Sequence, residues 1–253
     1  MPKVRVVLAL AGFLAAALPA VAADDSEVRH KIEGRLAKAG IDRTGDVQVE
    51  VRNGAAVLNG AVTTVYDRQR AEKAAAKETR SVDNRLRVVT SKRSDAEIRR
   101  AASRAILSYP YYGVFDSVDL GVDDGVVLLR GSVRHEGRRR DIEERVARLA
   151  GVKQVVDEIA VQSVSVFDDQ LRGQLYRAIY GDERFVHWAN QPDPPVRILV
   201  DRGRVTLTGY VPTAVDQAML GHIARGTLAF GVENRVKLDR DEVKEPVKGT
   251  TRS

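Results

Sequence analysis

Two kinds of stretch in the chain carry side chains able to grip a ligand. The first is Arg134-His135-Glu136-Gly137-Arg138-Arg139-Arg140, with four arginines in seven residues. Guanidinium groups match phosphate oxygens in paired hydrogen bonds, and a helix starting here would add its polarised amides, so the chemistry on offer is anion or lipid-phosphate binding. The same residues also suit a solvated helical face paired with Glu143 and Glu144. The second kind of stretch is aromatic. Tyr109-Pro110-Tyr111-Tyr112-Gly113-Val114-Phe115 and Phe185-Val186-His187-Trp188 together hold 6 of the 13 aromatic residues. Such rings favour membrane–water interfaces and protein contacts; equally, they can plug the open end of a small sheet. Tyr109, Tyr111, Tyr112, Trp188, Arg134, Arg138, Arg139 and Arg140 are therefore the candidate lipid- or partner-binding residues.

Catalytic chemistry finds few residues to use. The four histidines, His30, His135, His187 and His222, form no metal-ligand spacing with one another or with carboxylates. There is no cysteine, no serine elbow, no phosphate-cradling P-loop and no dinucleotide-binding GxGxxG. The expectation is a protein without catalytic residues, metal or cofactor.

The elements that must hold the candidate residues are repeated. A glycine followed six positions later by another, with a strand-like run between, occurs as Gly54 to Gly60, Gly125 to Gly131 and Gly203 to Gly209. The first glycines lie 71 and then 78 residues apart, a period that signals copies of one small module. Apolar residues alternate after each first glycine: Ala56, Leu58, Val62; Val127, Leu129, Val133; Val205, Leu207, Val211. Alternation at period two marks a strand with one buried face. The first glycine sits at a hairpin turn, Asn53-Gly54, Asp124-Gly125 or Arg202-Gly203. The second falls on the buried face, where a helix crossing the sheet is expected to leave no room for a Cβ.

Helical stripes flank each hairpin, as in Ile98, Ala102, Ile106 before it and Ile142, Val146, Leu149 after it. A closing strand is expected at 86–89, 155–161 and 236–238. The fold class is thus α+β: tandem αββαβ modules, each a three-stranded mixed sheet with two helices on one face. The modules are assigned to residues 24–93, 94–165 and 166–240, with a disordered tail at 241–253.

Residues 1–23 read as a cleaved secretory signal peptide, with Lys3 and Arg5 before an apolar stretch and Ala20-Val21-Ala22 as a small-residue cleavage site. Export without cysteine fits a bacterial periplasm, with no membrane span after cleavage. The formal charge of +6 is spread among mixed signs, and export makes nucleic acid an unsuitable partner.

The glycine-bracketed hairpin, its flanking helices and the steps Ala150-Gly151-Val152 and Phe230-Gly231-Val232 resemble the BON domain, named for bacterial osmotically inducible and nodulation proteins. Copy one departs, reading Arg80-Ser81-Val82 at that step. The resemblance implies a binding module of the bacterial envelope that associates with phospholipid, and it transfers no catalytic residue. Two functions follow: association with anionic phospholipid surfaces in support of the envelope under stress, or a scaffold or chaperone-like role on envelope proteins without lipid.

Overall fold

The computed structural model describes residues 19–189, 191 and 193–239. Residues 1–18 of the expected leader and the tail beyond residue 239 lie outside the described residues, whereas residues 19–23, which hold the expected cleavage site, belong to the helix Pro19–Lys38. The module repeats three times. In the first, α1 (Pro19–Lys38) precedes the hairpin β1 (Gly45–Arg52) and β2 (Ala55–Val62), then α2 (Val65–Ala75), β3 (Ser81–Asn84) and the two-residue β4 (Arg87–Val88). The second runs α3 (Asp95–Leu107), β5 (Ser117–Asp123), β6 (Val126–Val133), α4 (Glu136–Ala147) and β7 (Gln154–Val161). The third runs α5 (Val166–Tyr180), β8 (Val196–Asp201), β9 (Arg204–Val211), α6 (Ala214–Arg225) and β10 (Gly231–Leu238).

In every module the second hairpin strand is central. It runs antiparallel to the strand before it and parallel to the closing strand, as in the order β5-β6-β7. The parallel return requires the crossover helix between them. One cluster joins Ile98, Ala102 and Ile106 of α3, Ile142 and Val146 of α4, and Val127, Leu129 and Ile159 of the sheet, so both helices cover the same face. Burying these nine-tenths or more from water is the main drive for a unit this small. The chain forms two compact units. Among the described residues the first holds 19–62 and 68–87, and the second holds 63–67 and 88–239, with Val65 buried in the core of module two.

The closing strand of copy one differs from expectation. It begins at Ser81 rather than Leu86, in register with Ala55, and breaks after Asn84. The Asn84 side chain accepts the Leu86 N–H at 3.2 Å, but Asp157 and Asn234 accept the equivalent amides of Ile159 and Val236 at 3.0 and 3.2 Å in closing strands that run on unbroken, so this contact does not explain the break. The closing strand of copy three, in turn, is longer than expected, starting at Gly231. Its polar stretch Glu233-Asn234-Arg235 hides the alternation.

The second glycines stand in matching places. Gly60, Gly131 and Gly209 face Val47, Val118 and Val196 across the hairpin and take φ of 116°, 120° and 120°. The alternation pattern suggests a crossing helix as the cause, and the structure corrects this. A Cβ at each would strike the neighbouring strand's backbone, at the carbonyl oxygen of Asp46, Ser117 or Pro195. The constraint is thus strand against strand, at a φ that other L-residues adopt only with strain.

Gly209→Ala should therefore lower the stability of the second unit by on the order of 2–3 kcal/mol, read as a lower urea midpoint at unchanged slope. Gly173, inside α5, meets only the end of the Arg177 side chain at 3.4 Å. Gly173→Ala should be neutral or stabilising by up to about 1 kcal/mol. Equal effects at the two positions would contradict the strand-notch account.

Candidate functional site

Each hairpin turn has both central residues at positive φ: Asn53 at 53° and Gly54 at 74°, Asp124 at 42° and Gly125 at 76°, Arg202 at 49° and Gly203 at 73°. This is the primed turn geometry whose twist matches the strands it joins. Its two amides point away from the ladder and need acceptors. In every module an aspartate near the start of the first helix supplies both. Asp25 accepts from Asn53 and Gly54 at 2.8 and 2.9 Å, and Asp95 from Asp124 and Gly125 at 3.0 and 2.9 Å. Asp168 accepts from Arg202 and Gly203 at 3.0 and 2.7 Å. Sequence reasoning missed this clamp, although its signal was present: in all three copies the aspartate stands three residues before the first apolar stripe residue, Val28, Ile98 or Leu171.

Asp168 is fully buried, and its carboxylate also accepts the Ser163 hydroxyl at 2.7 Å. Burial raises its pKa, but the Ser163 hydroxyl, the Gly203 and Arg202 amides and the Arg172 charge outweigh it and hold the carboxyl below its ordinary range. Arg202, a non-glycine in the left-handed region, is tolerated because these charge-assisted bonds offset a cost of about 1–2 kcal/mol.

The arginine run turns inward rather than outward. Modules one and three start their second helix with a threonine cap: Asp67 N–H donates to Thr64 Oγ1 at 3.0 Å and Asp216 N–H to Thr213 Oγ1 at 3.1 Å. Module two has His135 at that cap, with no side-chain bond, and Arg138 where the others have the aspartate. Arg138 instead donates at 2.5 Å to Asp116, which is fully buried and also accepts the Gly113 and Arg134 amides. Arg139 bonds Glu136 and, at 2.7 Å, Asp157. That second bond replaces the bridge by which Asn84 and Asn234 reach the carbonyls of Arg68 and Gln217 in the other modules. Arg134 donates to Asp169 of module three at 2.9 Å. Of the four candidate arginines only Arg140 is exposed.

The aromatic connectors, too, mostly turn inward. Tyr109 is 6% exposed and donates its hydroxyl to Asp141; burial first, then that carboxylate, push its pKa up to about 12. Trp188 is 5% exposed and stacks on fully buried Phe185, ring centroids 4.7 Å apart, as the plug of module three's core. Tyr112 is half-buried: its hydroxyl accepts the Val118 N–H, and Arg197 of module three lies 5.0 Å over its ring. Beyond it, the Val114 carbonyl accepts the Ile198 N–H of β8 at 2.7 Å, and Phe115 packs against Tyr176 with centroids 6.2 Å apart. The connector of copy two therefore joins modules two and three. Tyr111, 67% exposed, alone among the four candidate rings faces water.

The histidines stand exposed on separate elements, at His30 in α1, His135 before α4, His187 beyond α5 and His222 in α6. Among the described residues no His, Cys, Asp or Glu cluster suits a metal ion. No helix of the described residues is long and apolar enough to cross a membrane.

The repeated clamp and the notched hairpin define a tandem array of three equivalent small modules. The BON domain matches at residues 24–90, 94–163 and 168–239, and the chain belongs to the BON domain family. These are binding-type rather than catalytic domains, associated with proteins of the cell envelope. No curated protein matches the chain. Two similar solved structures are of CdsD, a structural protein of the type III secretion system of Chlamydia trachomatis. One is 15% identical and covers 86% of this chain and 96% of that one; the other, its C-terminal domain, is 16% identical and covers 83% and 96%. Both have a TM-score of 0.25, at which the likeness carries no argument.

A carboxylate held below its ordinary pKa contributes stability above the unfolded-state value, and this is lost as pH falls through the folded one. The urea midpoint of the second unit should therefore be flat from pH 7 to about 5 and fall below about pH 4. Asp168→Asn should lower the midpoint at neutral pH and flatten the acid limb. An unaltered acid limb in that variant would show that Asp168 is not the group responsible.

Proposed function

We propose that the chain is an exported, periplasmic, non-enzymatic array that associates reversibly with anionic phospholipid at the cell envelope and supports that envelope under stress. Membership of the BON family across all three modules carries this reading. The leader-like residues 1–23 agree with it, and so does the basic balance, +6 for the whole sequence and +4 without Lys3 and Arg5 of the leader (39 basic against 35 acidic residues). A surface of mixed charge sets the strength: each basic residue near an anionic leaflet contributes on the order of 1 kcal/mol, screened by salt.

The scaffold alternative shares the same modules and differs in its ligand. Co-sedimentation with vesicles separates the two. The folded chain should pellet with phosphatidylglycerol or cardiolipin vesicles at low salt, less so at high salt, and not with phosphatidylcholine alone. No pelleting with anionic vesicles at low salt would overturn the lipid reading. A stoichiometric envelope protein retained after lipid removal would favour the scaffold.

A further inference from the structure

The three modules offer an internal comparison at one place, the tip around the clamped turn. Three segments meet there: the start of the first helix, the turn itself and the residues entering the closing strand. Strand pairing fixes which residues correspond. Ser81, Gln154 and Gly231 each open the parallel ladder opposite the residue after the first glycine. The amides just before them, of Arg80, Lys153 and Phe230, all donate to the carbonyl of that glycine, at 3.3, 2.9 and 2.8 Å. The matching glycine-valine steps in sequence are therefore not equivalent in space, for Gly231-Val232 lies inside β10 whereas Gly151-Val152 lies before β7. Lys153 corresponds to Phe230, and Gly151 to Leu228.

Counting back from the clamping aspartates, Ser94 corresponds to Phe167, Arg93 to Val166 and Ser91 to Val164. At this tip module two is small, polar or basic at all five positions, and an open cleft of about 490 Å³ there is lined by Lys92, Arg93, Asp95 and Lys153 among others. Module one has Asp24 and Arg80, both exposed. In module three all five positions are apolar. Leu228 and Phe230 are each 75% exposed, Val164 84% and Val166 76%. Phe230 stacks on Phe167 with centroids 5.0 Å apart, and the pair lies over Gly203, where a Cβ would meet both rings.

Rings and aliphatic side chains left this open, in a repeat whose second copy is small, polar or basic at all five places and whose first has Asp24 and Arg80 at two of them, need an apolar partner. The rim indicates which. Arg202 and Arg204, in and after the turn, are exposed and in no ion pair among the described residues, while Asp168 is buried in the clamp and Asp201 accepts the Ser163 amide. An apolar tip with a cationic rim matches the boundary of an anionic bilayer, with acyl chains for the side chains and headgroup phosphates for the guanidiniums. We infer that the turn tip of module three, built from Val164, Val166, Phe167, Leu228 and Phe230 with Arg202 and Arg204, is the point of the chain that enters an anionic phospholipid surface. The inference rests on the phospholipid reading above and places it on one module.

The test uses the whole chain and phosphatidylglycerol–phosphatidylcholine vesicles. Leu228→Ser with Phe230→Ser alters two exposed positions, and retention of far-UV circular dichroism and thermal midpoint checks the fold. This variant should bind roughly tenfold more weakly or worse, while Val215→Ser, at an exposed apolar position of α6 outside the tip, binds as wild type. In a Phe230→Trp chain, emission should shift to the blue on adding vesicles, as the new indole leaves water. A wild type that binds alongside an equally competent double serine variant overturns the tip and leaves the phospholipid reading standing. A wild type that does not bind overturns both. Self-association of the wild type without lipid, abolished in the double variant whose vesicle binding persists, assigns the tip to contact between copies and overturns the inference.

Discussion

The pair of hydrogen bonds from a hairpin turn to one aspartate carboxylate is the contact on which each module depends. The primed turn leaves two amides unanswered, and a carboxylate from the first helix takes both. That single residue fixes the helix to the end of the sheet and so sets which helix face meets Ile198, Leu207 and their counterparts in the core. All three modules keep this arrangement. The glycine notch at the other end of the second strand adds a second fixed point, because only a residue without a Cβ lets the hairpin strands approach there.

Within this frame the modules differ by exchanges that compensate one another. Module two loses the threonine cap of its second helix and gains Arg138 bonded to buried Asp116. It replaces the asparagine bridge of the closing strand with the Arg139–Asp157 pair. What resembles a phosphate-gripping run in sequence is thus mostly the internal wiring of one module, with Arg134 reaching its neighbour. Such pairs add little net stability, since burial costs much of what the ion pair returns. The aromatic connector of module two has likewise become the seam to module three.

The fold was largely legible in the sequence because the repeat multiplies a weak signal. One alternating run is ambiguous, whereas Ala56, Val127 and Val205 at the same offset from a glycine are not. Which candidate residues face solvent was much less legible, for a physical reason. Whether Arg138 or Trp188 faces water depends on partners distant in the chain, 22 residues away at Asp116 in the first case. Sequence spacing gives the face of a helix and not what lies over it. The apolar tip of module three was hidden differently, since aligning the two Gly-Val steps placed Phe230 opposite Ala150, and only the strand register puts it opposite Lys153. The clamping aspartates could have been found by the same offset argument that found the glycines.

A frame that repeats carries one tip that does not, and the tip depends on the frame. Site-resolved amide hydrogen exchange at the six turn residues, Asn53, Gly54, Asp124, Gly125, Arg202 and Gly203, tests it most directly. Amides at a hairpin tip ordinarily exchange freely, and the account predicts that all six are protected as ladder amides are. Free exchange at all three turns would contradict it.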